Sequence, residues 1–380
     1  MHSIEDVRHQ PRAQRMIQRA LAADRLAGAL LFAGPDGVGR ELLAHRLAMI
    51  LLCDARVERC GDGIDGLANW GGPVADACGE CENCRACVNR AHPDLHVVDR
   101  ELVKQHPDPE IRKRRGSVFS VEVVRAFVID VAGTKPVMGR AKVFVLRDIH
   151  LMNDAAQNAL LKTLEEPPAR TYLVLITSAP GSLLPTIRSR CQIVSFDPLP
   201  AEFVAERLAA MNPSMTEDQA RLCADYAGGS MGLAQRYIDD ELLQHDAAMA
   251  ELLGSLPTGD ITATAKRMIA SAKKLGERVQ LDDEDATDTE AQRRGLTSLL
   301  GLLAMRIRRS MRASVDGGDG HLAASGLRSS MTGSLRLTPR AAGDAVRALA
   351  SAEWQLQRNV NVQLCIESLL IGLGRLIAAS

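Results

Sequence analysis

The sequence predicts an α/β domain built on a mostly parallel sheet, followed by a region that is helical throughout. Three observations carry this. Short apolar runs at ALLFA (29–33), KVFVL (142–146) and YLVLIT (172–177) are separated by amphipathic helical stretches, the alternation that builds a parallel sheet covered on both faces. A Gly-rich turn joins the first run directly to a helical pattern. From about residue 198 the strand-like runs stop and helical periodicity takes over.

Taken in order, residues 12–27 read as an amphipathic helix, 29–33 as a strand, GPDGVGR (34–40) as a turn and 41–52 as a second helix, which together make strand, phosphate-type loop, helix. After a cysteine-rich segment comes the charged stretch HPDPEIRKRR (106–115), then an amphipathic helix near 120–132 and the strand 142–146. A further helix starts at Asp154, where Asp154 and Gln157 have capping-box spacing, and Pro167 and Pro168 end it because proline cannot continue a helix. In the helical C-terminal region, the acidic stretch LDDEDATDTE (281–290) and the Gly/Ser-rich stretch 315–335 read as loops or insertions.

At 380 residues with 46% hydrophobic residues, the chain is long enough for two or three cores. Its net charge of −1 and 3% aromatic content argue against an autonomous nucleic-acid binder, so any DNA contact is expected to be shared with partners. The basic run IRKRR (111–115) reads as a solvated loop, with duplex phosphates as the alternative contact. No apolar run approaches the ~18 residues of a membrane span and no signal-peptide core is evident, so the expected location is the cytoplasm, without a membrane partner. Six of the nine cysteines fall between Cys53 and Cys87, a density that favours metal over disulfides in a reducing compartment.

A working phosphate loop reads GxxxxGK[ST]: its backbone N–H groups cradle phosphates, its lysine neutralises them and its hydroxyl holds Mg²⁺. Here Gly34, Gly37 and Gly39 keep the frame, but Arg40 stands where lysine belongs and Glu41 where the hydroxyl belongs. Arginine is bulkier and planar, and a carboxylate repels phosphate oxygens at close range. The strand VFVL runs into Arg147-Asp148 instead of a metal-binding acidic pair. Two departures in the two halves of one site argue against ATP as a cofactor; vestigial nucleotide binding and a purely structural turn are the remaining readings.

Cys78, Cys81 and Cys84 form CxxCxxC, and an upstream cysteine, Cys53 or Cys60, completes a four-thiolate set of the closed structural Zn²⁺ kind. The alternatives are a cluster of reduced thiols or a redox role.

The block KVFVLRDIHLMNDAAQNALLKTLEEPP (142–168), followed by TIRSRCQ (186–192), resembles the bacterial clamp-loader AAA+ family of DNA polymerase III subunits. The resemblance is strong over about residues 1–200 and returns in RNVNVQLCIESLLIGL (358–373). It implies a RecA-like AAA+ domain at 1–197 with a zinc-binding insertion at about 53–92, a small helical lid at 198–250, and a helical collar for oligomerisation at 251–380. It implies Cys53, Cys78, Cys81 and Cys84 as the zinc ligands, leaving Cys60 and Cys87 spare. Arg190 becomes an arginine finger acting in trans on a neighbour's ATP, against a structural salt bridge as the bland reading and with Arg188 as the nearby confounder. Thr177 falls at a polar sensor position, and Leu233 stands where nucleotide-binding members tend to offer an arginine.

With its loop chemistry lost, the chain matches a non-motor subunit that helps load the sliding clamp onto primed DNA, in a five-subunit ring with motor (γ/τ) subunits and a δ subunit. On this reading it has no autonomous activity; classification with DNA-directed DNA polymerases, which are nucleotidyltransferases, would describe the holoenzyme. Two rivals are an ATP-hydrolysing motor subunit and a zinc-ribbon nucleic-acid regulator on an AAA+ scaffold.

Overall fold

The computed structural model describes residues 3–61, 64, 65, 67, 70–112, 119–138, 140–239, 242–256, 258–282, 288–315, 337–356 and 360–379. Residues 113–115 of the basic run, 283–287 of the acidic stretch, 316–335 of the Gly/Ser-rich stretch and 358–359 of the C-terminal motif lie outside them. The chain divides into two compact units, one of Met1–Pro200 with Gly229–Gly232, the other of Ala201–Gly228 with Leu233–Ser380.

The first unit holds seven strands among the described residues: β1 (Ala29–Ala33), β2 (Val57–Arg59), β3 (Val74–Asp76), β4 (Leu95–Val98), β5 (Lys142–Leu146), β6 (Thr171–Thr177) and β7 (Gln192–Ser195). Five form one sheet in the order β4-β5-β6-β1-β7, every pair parallel. All residues of β1 and β5 are buried, as expected of parallel strands covered on both faces. In register, Ala29 faces Leu173 and Ala33 faces Thr177. One face packs Leu31, Phe144, Leu146, Leu173 and Leu175 against Val123, Val128, Leu160 and Leu164 of neighbouring helices. Lys142 is buried at the start of β5 because its ammonium donates to the carbonyls of Val131 and Thr134, at 2.8 and 3.0 Å.

Three local features differ from sequence expectation. The first helix is Pro11–Ala22, shorter than 12–27, because Asp24 takes a left-handed φ of 50° and turns the chain. The helix Asp154–Glu165 is capped one residue earlier, by Asn153, whose Oδ1 accepts from the Ala156 N–H at 2.8 Å. Gln157 is therefore not part of a capping box; it is buried, donates to the Met152 carbonyl and accepts from the Leu184 N–H. The helical stretch from Val121 contains a π turn at Arg125–Ile129.

β2 and β3 form a separate antiparallel pair inside the cysteine-rich insertion. Asp76, at the end of β3, is buried; it accepts from the Ser3 hydroxyl and lies 3.1 Å from the Arg59 Nε, which ties the insertion to the start of the unit.

The second unit is helical throughout its described residues, from Ala201–Met211 and Glu217–Ala227 to the long pair Ile261–Asp282 and Asp288–Val315, then Pro339–Leu356 and Val362–Ala378. The long pair packs closely: a Cβ on Gly295 would come within 2.1 Å of the Ala272 carbonyl oxygen, so only glycine permits this approach. Within this unit Asp246 is fully buried, receives the Tyr226 hydroxyl at 2.8 Å and forms a two-pronged ion pair with Arg306, at 2.7 and 2.8 Å. No helix among the described residues is long and apolar enough to cross a membrane. Asp246→Ala leaves a largely buried guanidinium without its carboxylate and should lower stability by about 3–5 kcal/mol, measured by urea unfolding followed through the helical circular-dichroism signal.

Candidate functional site

The loop between β1 and the helix Arg40–Leu52 enters that helix through Gly39, at φ 100°. At Gly37, φ is 68° and a Cβ would come within 2.3 Å of the Gly232 nitrogen, so glycine is required twice over, by backbone conformation and by close approach. The Met231 N–H donates to the Gly37 carbonyl at 3.1 Å, so the segment Gly229–Gly232 lies on the loop. Gly34 is also hemmed in, with its N–H donating to the Thr177 carbonyl.

Arg40 is only 5% exposed and pairs with Asp36, one turn back in the loop itself. Its Nε and Nη1 are buried and find no acceptor among the described residues. Glu41 sits in the first turn of the helix, where the partial positive charge of the helix end favours a carboxylate. It lies 3.7 Å from His45 and 3.2 Å from Arg147, which also pairs with Asp99. The neighbouring His45 imidazole, together with Arg147, holds the Glu41 carboxyl down at about 2 against the opposing effect of partial burial. Arg147 leaves the end of β5 and Asp99 the end of β4. Asp148, next to Arg147, takes a left-handed φ of 50° and points to solvent. Thr177 is fully buried, and its hydroxyl oxygen accepts from the Ala179 N–H at 3.1 Å.

The second cluster lies at the far end of the helix Arg40–Leu52. Cys53 terminates that helix, Cys78 follows β3, Cys81 caps the helix Glu82–Val88 and Cys84 lies within it. Their sulfurs all fall within 4.8 Å of one another, with Cys53 to Cys78 at 3.5 Å and both Cys53 to Cys81 and Cys78 to Cys84 at 3.9 Å. Four thiolates around one ion at ~2.3 Å require sulfur separations of ~3.8 Å, so the group has the dimensions of a tetrahedral metal site. Backbone N–H groups of Cys78, Cys81 and Cys84 point at the sulfurs of Cys53, Cys78 and Cys81, at 3.3, 3.4 and 3.4 Å, which favours thiolate. Burial pushes the thiols of Cys53 and Cys84 up, an opposition that a bound cation would offset. The four cysteines can thus hold a metal ion; Cys60 and Cys87 lie outside the group, and burial pushes Cys87 up to about 12.

Arg190 ends the helix Pro185–Arg190, is exposed at the surface and pairs with Glu165 of the helix Asp154–Glu165. Its Nη1 also donates to the Thr186 carbonyl at 3.2 Å. The structure thus brings Gly34, Gly37, Gly39, Arg40, Glu41, Arg147 and Thr177 around one loop, and sets Arg190 in an ion pair elsewhere on the unit. Asp99 and His45 are absent from the sequence reading; His45 could have been found from its i+4 spacing to Glu41, whereas Asp99 carries no local signal.

A parallel sheet with a glycine loop leaving an interior strand, followed by a region that is helical in its described residues, defines an α/β protein of the phosphate-loop kind. Residues 9–200, half of the chain, match the family described as DNA polymerase III, delta subunit, and the chain belongs to that family. It is 33% identical over 239 residues to the Pseudomonas aeruginosa DNA polymerase III subunit delta′, covering 63% of this chain and 64% of that protein. It is 30% identical to the Escherichia coli subunit delta′, covering 61% of each. The Escherichia coli subunit tau is 28% identical over 97% of this chain and 50% of its own length. The matched region spans somewhat under two thirds of the delta′ relatives. A solved Thermotoga maritima gamma subunit-related protein aligns with TM-score 0.38 at 16% identity, over 95% of this chain and 99% of that one.

A carboxyl held below its ordinary value contributes stability in full above its unfolded pKa of ~4.3 and loses it as pH falls towards the native value of about 2. The stability advantage of the wild type over Glu41→Gln should therefore be constant from about pH 6 upward and shrink steadily below about pH 5. Urea midpoints at a series of pH values check this; an advantage independent of pH would remove Glu41 from the ionic network.

Proposed function

We propose that this chain is the non-motor, δ′-type subunit of the bacterial clamp loader, which helps place the sliding clamp on primed DNA and offers Arg190 to the ATP of a neighbouring subunit. The observation that carries the reading is the ion pairing of Glu41 with Arg147, and of Arg147 with Asp99, at the strand ends. An ATP-using site needs a lysine, a hydroxyl and acidic metal ligands at this place. This chain has a guanidinium turned onto Asp36 and a carboxylate neutralised by a second guanidinium. Leu233, where a second arginine would serve a nucleotide, supports the same reading. A phosphate would have to displace Glu41 from the helix end, against both charge and the existing pairs.

Chemistry absent in cis is compatible with chemistry in trans. Arg190 is exposed, and a surface ion pair such as Arg190–Glu165 contributes only about 0–1 kcal/mol, so exchanging Glu165 for a neighbour's γ-phosphate costs little. The guanidinium would then stabilise charge on the transferring phosphoryl group.

On this reading residues 198–250 act as a lid and 251–380 as a collar in a five-subunit ring with γ/τ and δ subunits, in the cytoplasm. Zn²⁺ held by Cys53, Cys78, Cys81 and Cys84 would be a structural cross-link between the helix Arg40–Leu52 and the insertion, with every position filled by thiolate and none left for chemistry.

The decisive experiment is clamp- and DNA-stimulated ATP hydrolysis by a loader reconstituted with motor and δ subunits. Arg190→Ala should leave assembly intact and lower the rate by about 10³-fold or more at the neighbouring site; an unchanged rate would reduce Arg190 to a salt bridge. The rival motor reading requires saturable ATP–Mg²⁺ binding by the chain alone, which calorimetry should not detect. Metal analysis should find one zinc per chain, lost in Cys84→Ser and retained in Cys60→Ser and Cys87→Ser; retention in Cys84→Ser would overturn the ligand set.

A further inference from the structure

We propose that the free edge of β4 is a docking groove for an extended peptide segment of a partner protein, one that carries apolar residues at alternate positions and an acidic residue, and that adds a strand to the sheet. β4 (Leu95–Val98) is an outer strand of the five, with β5 as its neighbour on one side. Its sequence, LHVV, has neither the lysine nor the proline that commonly guards an exposed edge.

The register fixes which backbone groups the sheet uses. The Val143 N–H donates to the Asp94 carbonyl and the Arg147 N–H to the Val98 carbonyl, each at 2.9 Å, so Asp94, His96 and Val98 turn their backbone towards β5. Leu95 and Val97 turn the other way. The Leu95 N–H is taken up by the His92 carbonyl at 3.2 Å. The Leu95 carbonyl and both backbone groups of Val97 find no partner among the described residues. Along the edge they stand in the order acceptor, donor, acceptor.

This edge opens into a cleft of about 460 Å³ that all four residues of β4 line. Its walls follow the pleat. Phe144 and Leu146, the register partners of His96 and Val98, pack against Val123 and Val128, so one wall is the helical stretch that carries Phe127 and Val131. The helix Arg40–Leu52 supplies the other through Glu41 and His45. The π turn at Arg125–Ile129 falls where Phe127 meets the cleft, and such turns recur at functional sites. The His96 ring stacks on Phe144 at 4.8 Å, and its Nε2 is buried without a partner among the described residues, a cost that a ligand hydroxyl or amide would relieve.

The chemistry selects a polypeptide. Four residues of strand extend about 13 Å, and a row of backbone acceptors and donors at that spacing is matched by another strand rather than by a compact metabolite. Every second side chain of an added strand would turn to the apolar wall, where Leu102, Phe127 and Val131 offer contact. Arg147, at one end, is already shared by Glu41 and Asp99. Arg90 also lines the cleft, is exposed and has no carboxylate partner among the described residues, so it is the cation left to meet an acidic residue of the ligand. The groove stands on this geometry and not on the role proposed for the chain in clamp loading.

The test titrates the full chain into a labelled, end-capped peptide of about eight residues, alternating valine and glutamate, followed by fluorescence anisotropy. Wild type should bind it saturably, and amide hydrogen exchange of the segment 95–98 should slow by at least about tenfold at saturation. Methylating one of the two alternate sets of peptide amides should weaken binding by at least about tenfold and methylating the other should not, since only one edge of the added strand pairs. Val97→Pro removes an outward donor that the ladder to β5 does not use, so it should weaken binding to a similar degree and leave the thermal melt in place. Should that variant unfold, the methylated peptides on wild type still decide. Arg90→Ala should weaken binding about threefold or more and make it less sensitive to salt. Absence of saturable binding, equal binding of both methylated peptides, or protection that spares 95–98 overturns the groove. A wild-type dimer in sedimentation that Val97→Pro dissolves overturns the partner peptide in favour of a second copy of this chain. Arg190→Ala should bind the peptide as wild type does, which separates failure of the groove from failure of the trans-acting arginine.

Discussion

Because all five strands of the sheet run in the same direction, every strand ends at the same edge, and the residues that follow those ends are gathered whether or not they are near in sequence. The glycine loop leaves β1, Asp99 leaves β4, Arg147 leaves β5 and Thr177 closes β6. The crossover connections that a parallel sheet demands also explain why helices cover both faces and why every residue of β1 and β5 is buried. The site is a consequence of that constraint before it is a matter of particular side chains.

What the side chains add is a closed set of charges. Asp36 holds Arg40, and Arg147 is shared by Glu41 and Asp99, so the charges at this edge pair with one another even though Arg40 Nε and Nη1 find no acceptor among the described residues. Pairs of this kind are partly exposed, and their worth lies less in stability than in fixing which groups face which. At the opposite end of the helix Arg40–Leu52 the cysteine cluster plays a comparable fixing role. It draws together the helix end, the segment after β3 and the short helix Glu82–Val88.

Much of the fold was legible in sequence, since its signals are local. Apolar runs of strand length, the glycine frame and the double proline after Glu166 each act within a few residues. Local signals also misled where two satisfied the same pattern. Asp154 and Gln157 have the spacing of a capping box, yet Asn153 caps the helix and Gln157 turns inward to hold Leu184, because burial of an amide with two backbone partners outcompetes an exposed cap.

The sequence by itself determined the strand–loop–helix order, the absence of lysine and hydroxyl from the glycine loop, the density of cysteines and the all-helical C-terminal half. These depend on residue type and on spacings of a few positions. Only the tertiary structure decided that Arg147 pairs with Glu41, 106 positions away, and with Asp99, 48 positions away. It likewise gathered Cys53 rather than Cys60 with Cys78, Cys81 and Cys84, and set Arg190 against Glu165. The physical reason is that such pairings are fixed by strand order and crossover connections, which bring distant residues together through packing that no short window of sequence encodes.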